Sequence, residues 1–252
     1  MNFDAARQLV EQHILPGYPH AQAAIIGGSI ARGQGTATSD IDLLILFENV
    51  PHAWRETLKL GQQTVELYGH DLRSFDYFCR KMDRPGGRIP MAMMVIEGRN
   101  LLPQTSASAA LYQLAQAIYD EGPPALTPDA LASRRYEITT LLEDLVDSTV
   151  AEETLAIATK LYDVLANFVL RAGGAWSGVG KHLARRLRAH SPSIADDLHA
   201  AMRAILLDPP AGKQAFGGLV AHALQPYGGP LLDGYALHAP AEWKSDTPAL
   251  AA

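Results

Sequence analysis

The stretch that most constrains this chain runs from Ala21 to Phe47. A short strand, Ala21 to Ile26, stops at Gly27-Gly28-Ser29. A second, strongly apolar strand, Ile41 to Phe47, is headed by Asp40-Ile41-Asp42. Glycine permits tight turns and close approach of backbone to a ligand. Amide groups at such a turn or helix start suit phosphate oxygens. The Ser29 hydroxyl adds a donor, Arg32 adds charge, and Ser39 stands next to the first aspartate. Side chains alternate along a strand, so Asp40 and Asp42 are expected to point the same way, with Ile41 opposite. Two same-facing carboxylates repel unless a cation lies near them, and hard oxygen ligands of this kind suit Mg²⁺ with substrate phosphates. Gly-Gly-Ser also suits a plain loop, and Ser39-Asp40 a turn cap. Asp42 resists that reading, because it lies inside an apolar run where an unpaired carboxylate is costly.

Around this segment the N-terminal half alternates helix and strand patterns. An amphipathic helix is expected over residues 3–15, ending at Pro16-Gly17. A third strand is expected at Thr64 to Tyr68, a helix near 72–82, a fourth strand at Met91 to Ile96, and a helix from Ser108 to Tyr119. The pattern changes at Gly122-Pro123-Pro124. Beyond it, Ile138, Leu141, Leu142, Leu145 and Val146 form one apolar stripe, and Ala158, Leu161, Tyr162, Leu165, Phe168 and Val169 another. Further helices are expected near 180–189, 192–206 and 213–224, before an irregular tail from Pro226. The expected organisation is α+β: a mixed sheet with helices over residues 1–122, then an all-helical domain over 123–252.

Composition narrows the function classes. The 252 residues are 48% hydrophobic and 19% charged, as in an ordinary globular protein with a sizeable core. The net charge of -6 lowers the odds of a long nucleic-acid surface, which is usually basic. Cys79 is the only cysteine, so neither an intrachain disulfide nor a cysteine-based zinc site is available. Neither a secretory signal nor an apolar run of about 18 residues is evident, and a cytoplasmic location is the expectation.

The pattern Gly28-Ser29-x10-Asp40-x-Asp42 resembles the signature of the DNA polymerase beta-like nucleotidyltransferase superfamily. The bacterial aminoglycoside nucleotidyltransferases, which carry a helical domain after the catalytic one, are the nearest likeness. The resemblance implies that the Gly-Ser turn holds an NTP triphosphate, with Gly28, Ser29, Arg32 and Ser39 as nucleotide-binding candidates. It also implies three carboxylates binding two Mg²⁺: Asp40, Asp42 and a third from a later strand. Glu66 is the matching candidate, as the one carboxylate within the third apolar stretch; Asp71 and Glu48 compete. Two metals about 3.5–4 Å apart would clamp the attacking and leaving oxygens of an in-line displacement. The implied reaction moves a nucleoside monophosphate, AMP from ATP being the expected case, onto a hydroxyl of a small molecule. Glu66 can also serve as general base. A protein or RNA end as acceptor, or a nucleotide-binding or interaction module without catalysis, are the alternatives.

The helical half carries weaker signals. Gly178-Val179-Gly180-Lys181-His182 approaches a P-loop but has Ala175 and His182 where glycine and Ser or Thr are needed. Lys181, Arg185 and Arg188 share one helical face. By resemblance, Lys181 is a candidate ligand for the β/γ-phosphates, with the acceptor between the two domains; a solvated charge stripe explains the spacing equally well. Glu137, Thr140 and Asp144 form an acidic face that suits a cationic substrate, or simply water. Trp176 suits stacking on a base or interior packing.

Overall fold

A computed structural model describes residues 1–240 and Trp243. The chain divides into two compact units, Met1–Pro124 and Ala125–Ala252.

The first unit is built on a five-stranded mixed sheet in the order β3-β4-β2-β1-β5. Its strands are β1 (Ala23–Ile26), β2 (Ile41–Leu46), β3 (Trp54–Leu60), β4 (Gln63–His70) and β5 (Arg99–Asn100). Only β2 and β4 pair in parallel; the remaining pairs are antiparallel. One face carries Ala24, Ile26, Ile41, Leu43, Ile45, Val65 and Leu67, which pack with Ala6, Val10 and Ile14 from the α1 region (α1, Phe3–His13). Strand alternation therefore turns Asp42 and Glu66 to the opposite face.

Four further helices complete this unit: α2 (Gly28–Ala31), α3 (Leu72–Tyr77), α4 (Pro90–Ile96) and α5 (Ser106–Asp120). Helix α3 continues as a wide π-helical segment over Phe78–Asp83. The segment Met91–Ile96, expected as a strand, is helical instead. Pro90 stands in its first turn, where a missing N–H costs nothing, and the buried Met91, Ala92 and Val95 follow helical spacing. Helix α4 also explains Gly27: a Cβ there would fall 2.1 Å from Met94 Cγ. Strand β3 did not stand out in the sequence. It joins β4 through the two-residue loop Gly61-Gln62, with Gly61 at φ +62° as such hairpins favour.

Among the described residues the second unit has helices and no strand: α6 (Pro128–Asp147), α7 (Ala151–Ala172), α8 (Lys181–His190), α9 (Pro192–Leu207) and α10 (Pro209–Leu224). Its core gathers Ile138, Leu145, Leu161, Leu165, Phe168, Leu183, Leu187, Leu198, Phe216 and Leu224. After α10 the chain runs back over α6. Arg135 donates to the Gly228 and Gly229 carbonyls, and Tyr235 stacks on Tyr136 at 4.1 Å. Among the described residues, no helix is long and apolar enough to cross a membrane.

Candidate functional site

The site is assembled where β1 gives way to α2 and where β2 begins. The Gly27 amide donates to the Asp42 carbonyl at 2.9 Å, so the glycine turn is fastened to the strand that carries the carboxylate. Gly28 then adopts φ +65°, a conformation that favours glycine. A Cβ built on Gly28 would lie 1.9 Å from Asp42 Oδ2. The turn backbone thus comes directly against the carboxylate, and no other residue type leaves that space open. Two motifs that the sequence separates by a dozen residues are one contact in the fold.

Asp40 precedes β2 and is exposed, whereas Asp42 is its second residue and half-buried. Asp42 lies in register with Glu66 across the parallel β2–β4 pair. Neighbouring strands are about 4.8 Å apart, so these two carboxylates stand side by side on one face. Both oxygens of Glu66 have partners. Arg55 Nη2 donates to Oε1 at 2.7 Å, and the Tyr68 hydroxyl donates to Oε2 at 2.7 Å. Burial and the bond to Glu66 push the Tyr68 phenol well above its ordinary range. The bond to Glu66 is the main reason that Arg55 is raised, and the Asp42 charge adds to it.

The competing carboxylates lie elsewhere. Asp71 follows the last residue of β4 and caps α3: Oδ1 accepts from the Ser74 amide at 2.7 Å and Oδ2 from the Val50 amide at 3.1 Å. Glu48 lies beyond β2 and is exposed. Because β2 and β4 are parallel, Asp71 and Glu48 both belong to the end of the sheet away from Asp42.

Ser29 Oγ donates to Ser39 Oγ at 3.2 Å, and Ser39 Oγ also accepts from the Thr36 amide at 2.9 Å. Ser39 thereby ties the loop before Asp40 back to the glycine turn. The first-turn amides of α2 have no acceptor within a helix that starts there. Arg32 is paired with Glu97, Nη1 to Oε2 at 2.5 Å.

Lys181 is exposed in the first turn of α8, in the second unit. Of its stripe, Arg188 pairs with Asp196. Glu137 pairs with Lys160 at 3.4 Å, and the Thr140 hydroxyl donates to carbonyls of its own helix. These contacts give the acidic face an ordinary structural account. Trp176 and Cys79 are buried.

Among the described residues, no group of three or more His, Cys, Asp or Glu side chains is gathered closely enough to hold a metal ion. The donor chemistry nonetheless fits Mg²⁺, which takes one or two carboxylates and completes its shell with phosphate oxygens and water. Asp40 and Asp42 could supply those carboxylates, and the absent side chain at Gly28 keeps the space beside Asp42 Oδ2 open. Glu66 stands beside Asp42 with its two oxygens on Arg55 and Tyr68. Arg55 is the participant that sequence reasoning missed.

Residues 12–78 match the family model described as Polymerase beta, Nucleotidyltransferase. The matched segment contains the Gly28-Ser29 turn, both aspartates and Glu66. Among solved structures, the chain is similar to a nucleotidyltransferase-like protein from Exiguobacterium sibiricum 255-15. The two are 16% identical, the match covers 88% of this chain and 75% of that one, and the TM-score is 0.45. The comparison with curated proteins gave no match.

Proposed function

We propose that this chain transfers a nucleoside monophosphate from an NTP, with ATP as the expected donor, to a hydroxyl of a small molecule and releases pyrophosphate. The observation that carries the proposal is the packing of Gly28 backbone against the Asp42 carboxylate, with Glu66 in register beside it, inside the matched segment. A phosphate-binding turn and a carboxylate pair in direct contact suit a triphosphate better than any other common ligand.

In this reading Ser29 and the neighbouring amides donate to the triphosphate, and Ser39 holds Ser29 in place. Asp40, Asp42 and Glu66 would hold Mg²⁺, which when bound would neutralise the charge that develops as pyrophosphate departs. The acceptor oxygen attacks the α-phosphorus in line; the new P–O bond forms as the bond to the β-phosphate bridge breaks. Glu66 receives the acceptor's proton. Arg32 adds positive charge for the phosphates. An aminoglycoside-like acceptor fits the helical companion unit by likeness to that group of enzymes.

The test is pyrophosphate release with each of the four NTPs and Mg²⁺ against hydroxylated small molecules, aminoglycosides among them, with protein and RNA acceptors alongside. Release with a small molecule supports the proposal. Release with protein or RNA alone redirects the acceptor. NTP binding without release for any acceptor points to a non-catalytic module. Ser29→Ala is expected to raise the KM for NTP several-fold more than that for acceptor, by loss of a hydrogen bond to a charged group.

A further inference from the structure

The Asp42–Glu66 pair poses an electrostatic problem that the fold has already answered. Two carboxylates on adjacent parallel strands repel, and the Tyr68 hydroxyl on β4 brings Glu66 a hydrogen bond but no charge. Their offset comes from β3, the edge strand. Arg55 lies opposite Tyr68 in the β3–β4 register, two residue pairs along from Glu66. From there its guanidinium reaches Glu66 Oε1 at 2.7 Å and lies 5.4 Å from the centre of the Tyr68 ring. Tyr68 holds the other oxygen, so both arms of Glu66 are committed. The two partners differ in mobility: the Arg55 side chain is 59% exposed and Glu66 20%. A long, exposed side chain on an edge strand can swing into water without disturbing the sheet. The Glu66 carboxylate stays where it is.

We propose that Arg55 is a resident counter-cation of the Asp42–Glu66 pair, which a divalent ion displaces from Glu66, so that Arg55 sets the metal affinity of the nucleotide-free site. This rests on the reading of Asp42 and Glu66 as metal-binding. Arg55 is then a positioning residue that acts through Glu66. It stabilises the metal-free chain and opposes metal loading until the metal–NTP complex supplies enough binding energy to release it. A purely structural ion pair makes the opposite forecast: its removal loosens the strand pair and weakens whatever the carboxylates bind.

Free Mn²⁺ measured by electron paramagnetic resonance, titrated into the full chain without nucleotide, separates the two. Arg55→Gln is expected to bind Mn²⁺ about two- to fivefold tighter than the unchanged chain, the range in which partly exposed ion pairs fall. Its Tm without metal falls, and its Mn²⁺-induced gain in Tm grows. Arg55→Lys, which keeps the charge, stays close to the unchanged chain in both readouts. Unchanged or weaker Mn²⁺ binding by Arg55→Gln, with Arg55→Lys folded and normal, overturns the proposal. Asp42→Asn serves as the separate control. If it abolishes Mn²⁺ binding, the metal-site reading stands whatever Arg55 does. If Mn²⁺ binds equally well to Asp42→Asn, or to no variant even with a non-hydrolysable ATP analogue, the metal-site reading fails and takes the Arg55 proposal with it.

Discussion

The two ends of strand β4 hold acidic residues with opposite obligations. At its far end Asp71 is buried and fully used by local backbone: the Ser74 and Val50 amides both donate to it. Its carboxyl is penalised by burial, but those bonds and the Ser74 hydroxyl outweigh the penalty and hold it below the usual carboxylate range. Near its start Glu66 serves no cap and no turn. It is set beside Asp42 by strand register and answered by side chains alone, Arg55 and Tyr68. A carboxylate tied to backbone amides contributes to the fold. A carboxylate placed beside another and neutralised by a swinging side chain is free to exchange that partner for a ligand. In the proposed function, the same difference separates structural acids from functional ones.

Substitutions should divide along the same line. The largest effect is expected from Asp42→Ala: transfer falls by at least about a thousandfold, the scale on which preorganised charge acts in a transition state. Its Tm should hold or rise, because one of two repelling carboxylates is gone. A marked fall in Tm would place Asp42 with Asp71 instead. Gly28→Ala comes next and should damage both properties. The positive φ alone costs about 1–2 kcal/mol, and the new Cβ would need the Asp42 carboxylate to move. Activity and melting temperature measured together check this; loss of stability with full transfer would mean that Asp42 need not stay where the turn holds it. Asp71→Ala should lose about 2 kcal/mol from a capping box and a second buried amide bond. That lowers Tm by about 4–8 °C and leaves the KM for NTP unchanged.

How much of this was legible in the sequence depended on the range of the interactions. The Gly28-Ser29 turn and the Asp40–Asp42 pair lie close along the chain, so residue types and spacing disclosed them together. Glu66 stood out as the lone carboxylate in an apolar stretch, although its register with Asp42 is a long-range fact. Arg55 was not legible. Its strand, Trp54-Arg55-Glu56-Thr57-Leu58-Lys59-Leu60, has one face largely in water and few apolar residues to give a period. The available signal was Gly61-Gln62 between two paired runs. Met91–Ile96 failed for another reason: a short apolar run has no discernible period, and Pro90 was the feature that distinguished helix from strand. The helices from α6 onward are long enough for their stripes to speak for themselves.

The smallest expected effect sharpens the same distinction with an acid that has neither a full cap nor a counter-cation in contact. Asp83 ends the π-helical segment after α3, and its Oδ2 is buried with no hydrogen-bond partner among the described residues. Burial pushes its carboxyl up to about 6, and the Met91 amide and the Arg88 charge offset only part of that. In an unfolded chain the same group titrates near 3.9. The folded state therefore binds the proton more tightly, so stability falls as pH rises from about 4 to about 6 and stays reduced above that. Asparagine keeps the shape and cannot ionise. Asp83→Asn should match the unchanged chain near pH 4 and exceed it at pH 7.5. Because the group is only partly shielded from water, the gain is discounted to about 1 kcal/mol, or about 2–4 °C in Tm. Thermal melts from pH 4 to pH 8 check the crossover. A difference that does not vary with pH would mean that Asp83 ionises as readily inside the fold as outside it, and would remove it as the uncompensated third case beside Asp71 and Glu66.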